Sequence, residues 1–267
     1  LMPRIFMALK QVNAAPIRWA MEQLPAIPVN CQWGTFLRNH DELTLEMVTE
    51  EERQYMWAAY AREPGQRLNL GIRRRLAPLL DNDKERIELA HALLFSLPGS
   101  PFLYYGDEIG MGDDIRLFDR NGLRTPMQWE DGKNAGFSTA EKLVVPIIDS
   151  EEFPLSKVNA KIMQSTPGSL WQTIHSMIAL RRENPELAAQ SFTWIDCAEP
   201  RAVVFERPGN GQGIISVNNL SLDPLQIKVP IQDEAITTVR DLFSGREFAV
   251  ESGSLALDLA PSQYLWL

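Results

Sequence analysis

Apolar and polar positions change rhythm several times along the chain. Ile5-Phe6-Met7-Ala8-Leu9 is a continuous apolar run flanked by charge, the pattern of a strand buried on both faces. Ile17 to Leu24 predicts a short helix that Pro25 and Pro28 end. Cys31 to Leu37 is a second apolar run, and it passes straight into Arg38-Asn39-His40-Asp41-Glu42. Glu50 to Ala61 has helix-forming composition, with Thr49 placed as its cap and acidic residues in the first turn. Lys84 to Leu97 is amphipathic, with Ile87, Leu89, Ala90, Leu93, Leu94 and Leu97 near helical spacing, and Pro98-Gly99 stops it. Pro101 to Tyr105 is a third buried run. Strand, helix, strand, helix, strand is the alternation of a parallel sheet, and each connection is long enough for a right-handed crossover.

From Gly106 to about Pro167 periodicity fades, and glycine, proline and acidic residues dominate. A loop of that length in a compact domain is usually functional. Leu170 to Arg182 returns to helix, with one apolar stripe through Leu170, Ile174, Met177 and Ile178. After Pro185 the period becomes two. Val203–Phe205, Ile214–Val217, Leu225–Val229, Val239–Leu242, Leu255–Leu259 and Tyr264–Trp266 predict short strands split by turns. These strands predict an antiparallel β-sandwich over 191–267, set apart from an α/β unit over 1–190. Its aromatics, Trp194, Phe205, Phe243, Tyr264 and Trp266, are expected in the core rather than on a binding platform.

Composition narrows the function. The chain has 267 residues, 45% hydrophobic and 23% charged, as in an ordinary globular protein. A net charge of −9 argues against nucleic-acid partners and anionic membranes, and the one basic cluster, Arg73 to Arg75, is short. No apolar run approaches the ~20 residues that cross a bilayer. No signal-peptide pattern opens the sequence. Cys31 and Cys197 lie far apart in apolar surroundings and are expected as buried free thiols in a reducing cytoplasm. No phosphate loop, GxSxG or CxxC is present, and no cofactor is implied.

The chemistry concentrates at the end of the second apolar run. His40 and Asp41 are adjacent and would face opposite ways on an extended strand. Both reach one pocket only if the strand ends there and the backbone turns. The plainer alternative is a helix cap, from Asp41 or Thr44.

The run Gly34 to Met47 resembles a signature of the α-amylase family of glycosidases, and within it the trehalose synthases. So do Gly71 to Asp83, Leu97 to Pro101, Tyr104 to Asp113 and Arg124-Thr125-Pro126-Met127-Gln128-Trp129, in the family's order. The resemblance is close over about residues 2–138, fades over 139–169 and returns weakly afterwards. It implies that the runs at Arg4, Cys31 and Pro101 are the sixth, seventh and eighth strands of a (β/α)8 barrel, followed by the family's C-terminal β-sandwich. A full barrel takes about 250 residues, and only about 185 precede the sandwich. The sequence is therefore expected to be the C-terminal portion of such an enzyme, without the first five strands.

Retaining glycosidases use two carboxylates about 5 Å apart, a nucleophile and an acid/base. The resemblance puts both on the fourth and fifth strands, upstream of Leu1. Asp41 matches the family's third carboxylate, which grips sugar hydroxyls as the ring flattens, and His40 matches its neighbouring histidine. An arginine in the post-barrel loop closes the sugar pocket, and either Arg120 or Arg124 fits. Arg38, Glu42 and Glu46 would form a polar gate around the retained glucose; the plainer alternative is a solvated face. Asp81-Asn82-Asp83 lacks the spacing of a calcium loop and is expected as a turn. Asp107, Glu108, Asp113 and Asp114 are expected as capping and loop charge rather than metal ligands, and His91 and His175 as structural.

Three functions follow. The first is intramolecular glucosyl transfer between maltose and trehalose. The second is hydrolysis of related α-glucosides, and the third is a non-catalytic carbohydrate-binding remnant. The partners implied are maltose, trehalose and related α-glucosides, the rest of the barrel, and a second copy in a homo-oligomer. Alone, the chain is expected to be inactive.

Overall fold

The computed structural model describes residues 1–28, 30–209 and 213–267. It opens with two helices, α1 (Met2–Gln11) and α2 (Ala15–Glu22). The apolar run at Ile5 to Leu9 is therefore helical, not the strand its pattern predicts. Every residue from Pro3 to Leu9 is buried, so α1 is covered on all sides. A helix covered that way erases the polar face that would reveal its period.

The second run shortens to strand β1 (Gly34–Phe36), followed by helix α3 (Glu50–Tyr60). Thr49 caps α3 in a reciprocal box: its hydroxyl accepts from the Glu52 amide, and the Glu52 carboxylate accepts from the Thr49 amide at 2.9 Å. A tight hairpin, β2 (Arg67–Leu68) and β3 (Gly71–Ile72), turns at Asn69 in a left-handed conformation. Helices α4 (Leu76–Leu79) and α5 (Lys84–Ser96) lead to strand β4 (Ser100–Phe102). Strands β1 and β4 pair in parallel, Gly34 opposite Ser100 and Phe36 opposite Phe102. The parallel pair replaces the three strands expected, because α1 occupies the position of the first.

Helix α5 is buried from Ile87 onward, so Glu88, His91 and Ser96 are enclosed with its apolar residues. The stretch after Gly106 is less irregular than its composition suggests. It contains short 3₁₀ turns and helix α6 (Ala160–Ser165), which Asn159 caps by accepting from the Ile162 amide at 3.0 Å. Ile109, Met111, Leu123, Phe153 and Val158 anchor it in the core. Helix α7 (Leu170–Glu183) then packs beside α5.

Beyond α7 lie strands β5 (Thr193–Trp194), β6 (Ala202–Arg207), β7 (Ile214–Asn219), β8 (Leu225–Pro230), β9 (Thr238–Arg240), β10 (Glu247–Glu251), β11 (Ser254–Leu259) and β12 (Tyr264–Trp266). They form two antiparallel sheets, ordered β12-β7-β6-β5 and β8-β11-β10-β9. Strand β8 alternates strictly, with Leu225, Ile227 and Val229 inward. These residues share an apolar cluster with Val204, Val217 and Leu265 of the first sheet. The opposite face of that first sheet, Val203, Phe205, Ile214 and Trp266, joins the helical core. Buried Arg207 fastens the seam by donating to the carbonyls of Ser96 (2.6 Å) and Ser191 (3.0 Å).

Cys31 is exposed and Cys197 half-buried, both as free thiols, so Cys31 departs from the burial expected of it. Among the described residues no helix is long and apolar enough to cross a membrane.

Candidate active site

Strand β1 ends at Phe36, and the chain turns before it can continue. The Asn39 side chain accepts from the Asp41 amide at 2.9 Å, a local turn that re-aims His40 and Asp41. Arg38 is buried beneath it. Its guanidinium donates to the Asp41 carbonyl at 2.6 Å and to the Arg74 carbonyl at 2.7 Å. Burial lowers the Arg38 pKa to about 10, and nearby Asp107 and Asp113 oppose that shift. Arg38 thus holds the main chain of the turn, and its donors do not face an open pocket.

The loop after β4 returns to this turn. Arg120 forms an ion pair with Asp41, lies 2.7 Å from Glu42 Oε2 and bonds Asp119 at 2.9 Å. The Asp41 carboxylate also accepts from the Glu42 amide at 2.8 Å. Its pKa is held well below the usual carboxylate range, chiefly by the contact with the Glu42 side chain and then by the Arg120 guanidinium and the Glu42 amide, with burial opposing them. The Arg120 pKa is raised in turn, chiefly by its bond to Asp41. Asp41 is therefore ionised across the neutral and mildly acidic range, and remains partly open to solvent.

Arg124 lies one turn further on and donates to the His40 carbonyl at 2.8 Å. Both arginines reach the turn, Arg120 at its carboxylates and Arg124 at its main chain. His40 and Arg124 are exposed. Glu46 is exposed as well and stands outside the cluster, with no ion pair among the described residues.

Three supports escaped the sequence reading. Asn69, at the tip of the β2–β3 hairpin, donates to Glu42 Oε1 at 2.8 Å. The hairpin itself bonds Leu43 through Ile72 in both directions. Arg73 donates to the carbonyls of Gly65 (2.6 Å), Ile115 (2.6 Å), Leu117 (2.8 Å) and Asp119, clasping the loop that carries Arg120. The basic triplet Arg73 to Arg75 therefore faces inward, and Asp113 and Asp107 are its buried ion partners rather than loop charge. Tyr104 and Tyr105 complete the frame, their hydroxyls donating to the carbonyls of Leu123 (3.0 Å) and Thr125 (2.7 Å) on either side of Arg124. Among the described residues, no three His, Cys, Asp or Glu side chains group as a metal site.

Residues 72–190 match the model of the α-amylase catalytic domain. The chain is also 47% identical to a trehalose synthase of Pimelobacter over 99% of its own length, and that match spans 48% of the relative. It is 49% identical to a trehalose synthase/amylase of Mycobacterium tuberculosis over 93% of the chain and 42% of the relative. The chain thus spans about half the length of the curated relatives it matches. Among solved structures, an α-amylase from H. orenii superposes with a TM-score of 0.64 at 19% identity, over 98% of this chain and 46% of that one. The last likeness speaks to fold alone. The family match begins at Ile72, beyond the Asp41 turn and α3, and contains both Arg120 and Arg124, while the match to the Pimelobacter relative takes in the turn itself.

Gly71 makes the site's packing testable. A Cβ there would lie 2.5 Å from Glu42 Cγ and 2.7 Å from the Leu43 carbonyl. Gly71→Ala is expected to displace Glu42 and destabilise the chain by about 1–3 kcal/mol. Urea unfolding would read the loss, and an unchanged midpoint would show that the hairpin does not press on Glu42.

Proposed function

We propose that these residues supply the closing part of a (β/α)8 barrel and the C-terminal β-sandwich of a retaining enzyme that interconverts maltose and trehalose. The supporting observation is the Asp41 carboxylate, kept ionised by its contacts with Glu42 and Arg120 on a turn at the C-terminal end of a parallel strand. That strand end is where barrel enzymes place their chemistry. In this reading β1 and β4 are the seventh and eighth strands. Asp41 accepts from two hydroxyls of the glucosyl ring, and those bonds tighten as the ring flattens toward the oxocarbenium-like state. His40 bonds the same ring, and Arg120 and Arg124 close the pocket. Arg38 positions Asp41 through its carbonyl.

The nucleophile and the acid/base come from carboxylates on other strands of the barrel. Near Asp41 the carboxylates are Glu42 and Asp119, and Arg120 engages both. The nucleophile would hold glucose covalently while the freed glucose turns and attacks through its anomeric hydroxyl. Two such displacements preserve the α-linkage. Incubating a protein of the relatives' full length with maltose tests this. Trehalose as the main product supports it, whereas glucose alone, or no product, would replace it with a hydrolase or a binding protein.

The same reading divides the chain into 1–190 and 191–267. Segment 191–267 expressed alone would expose Phe205, Ile214 and Trp266, which the helical part covers. It is expected to fold but to self-associate through that face. Sedimentation of the segment checks this, and a stable monomer would show that the seam is dispensable.

A further inference from the structure

Arg73 closes a circuit that runs out from the Asp41 turn and back to it. Leu43, just past the turn, pairs with Ile72 of β3 through its amide (2.8 Å) and its carbonyl (3.0 Å). The next residue of β3's strand end is Arg73, whose own amide donates to the Gln66 carbonyl at 2.9 Å. Its half-buried side chain leaves the hairpin and crosses to the loop after β4. There its terminal nitrogens donate to the carbonyls of Ile115 (2.6 Å), Leu117 (2.8 Å) and Asp119, while Nε donates to the Gly65 carbonyl at 2.6 Å. Asp119 is followed by Arg120, which returns to Asp41 and Glu42. Each link of the circuit is a peptide bond, a hydrogen bond or an ion pair.

The loop is arranged around this one cation. Arg116 and Phe118 are exposed, while the carbonyls of the alternate residues Ile115, Leu117 and Asp119 converge on Arg73. Asp119 is held in the left-handed region at φ 53°, a conformation that costs energy and persists only where its surroundings fix it. A Cβ at Gly122 would lie 2.2 Å from the Asp114 carbonyl oxygen, so the loop closes tightly on itself. Arg74 and Arg75 have carboxylate partners, Asp113 and Asp107, and among the described residues Arg73 has none. Its charge is spent on main-chain dipoles. Without it, four carbonyl oxygens would face one another and lose their donors. A lysine would not replace it, because an ammonium is a point charge without the planar fork that spans several carbonyls.

We propose that Arg73 is a positioning residue: by clasping the carbonyls of residues 115–119 it aims the Arg120 guanidinium at Asp41 and Glu42. Its effect on the reaction rests on the role given to Asp41 above; the clasp itself does not. Two measurements test it. In a protein of the relatives' full length, Arg73→Ala is expected to lower kcat/KM for maltose by about tenfold to a hundredfold, the scale of a group misplaced by about an ångström. Made on top of Arg120→Ala, the same change should cost no more than about twofold further, because nothing is left to position. Losses that multiply instead would overturn the proposal and make Arg73 a general support of the fold. The second measurement is amide hydrogen exchange of this chain, which needs no turnover. Arg73→Ala is expected to speed exchange by about tenfold or more at Leu117, Asn121, Leu123 and Arg124, whose amides close the loop, and to leave α5 and the β8–β11 ladder as in the parent. Unchanged exchange in the loop, or faster exchange everywhere, would overturn the proposal. Should Arg73→Ala fail to fold, Arg73→Lys decides by both readouts, since it keeps the charge and loses the fork. A parent that turns over no maltose would count against the function proposed above, and the exchange would still decide the clasp.

Discussion

Asp41→Asn, made in a protein of the relatives' full length, is expected to lower kcat by about 10²–10³ with both maltose and trehalose, and to leave the fold intact. Asparagine keeps the shape, so the turn held by Asn39 and Arg38 through the Asp41 amide and carbonyl persists. What disappears is a full negative charge that the contacts with Glu42 and Arg120 keep in place. An amide oxygen accepts weaker hydrogen bonds than a carboxylate, and the difference grows as positive charge develops on the ring. The loss should therefore fall on kcat more than on KM. Arg120 retains Glu42 and Asp119 in the variant, so the loop it sits on should not be released. Steady-state rates in both directions, with a thermal melt as the control, make the measurement. An unchanged kcat would remove Asp41 from the reaction, whatever the resemblance suggests.

The sequence made some of this legible and hid the rest for physical reasons. The Asp41 turn was readable because its residues are contiguous and because an apolar run ending in a polar cluster is a local pattern, although β1 is exposed to half-buried rather than the buried strand that pattern predicts. The strands over 202–266 were readable because one buried face imposes period two, as in Leu225, Ile227 and Val229. Helix α1 was misread because burial on every side leaves no period at all. The choice between Arg120 and Arg124 was undecidable locally. They lie one turn apart in a loop without periodicity, and the contact that separates them spans 79 residues. The inward role of Arg73 to Arg75 left no mark in the sequence because their partners are mainly carbonyls, which every residue carries and no sequence pattern marks. Asn69 left one usable trace. Asparagine tolerates the left-handed conformation that this tight turn requires.

Arg75, the buried member of the triplet, gives the largest expected effect on stability. Arg75 is enclosed, donates to the Tyr105 carbonyl at 2.8 and 2.9 Å, and stands 3.5 Å from Asp107. Its guanidinium also lies over the Tyr104 and Tyr105 rings at 4.7 and 4.8 Å. Burial pushes the Asp107 pKa up to about 6, and Arg75 is the leading influence holding it down. Arg75→Met keeps much of the volume but leaves Asp107 enclosed without its nearest cation, which is expected to cost about 3–5 kcal/mol at pH 7.5. The pH dependence identifies the cause. An unfolded aspartate titrates near 3.8, so between pH 6 and 4 the native state binds more protons than the unfolded state. Native stability from this group therefore rises as pH falls through that window and drops as pH rises. Without Arg75 the folded Asp107 pKa climbs further, so the variant gains more than the parent on acidification and its deficit narrows by pH 5. His91 acts in the opposite direction. Burial lowers its pKa to about 4, so it costs stability as pH falls below 6.5. That effect is common to both proteins and cancels when they are compared at the same pH. Urea unfolding of parent and variant at pH 7.5 and pH 5 measures the difference. A deficit that stays constant or widens at pH 5 would show that lost packing against Tyr104 and Tyr105, and not the stranded Asp107 charge, is what Arg75 prevents.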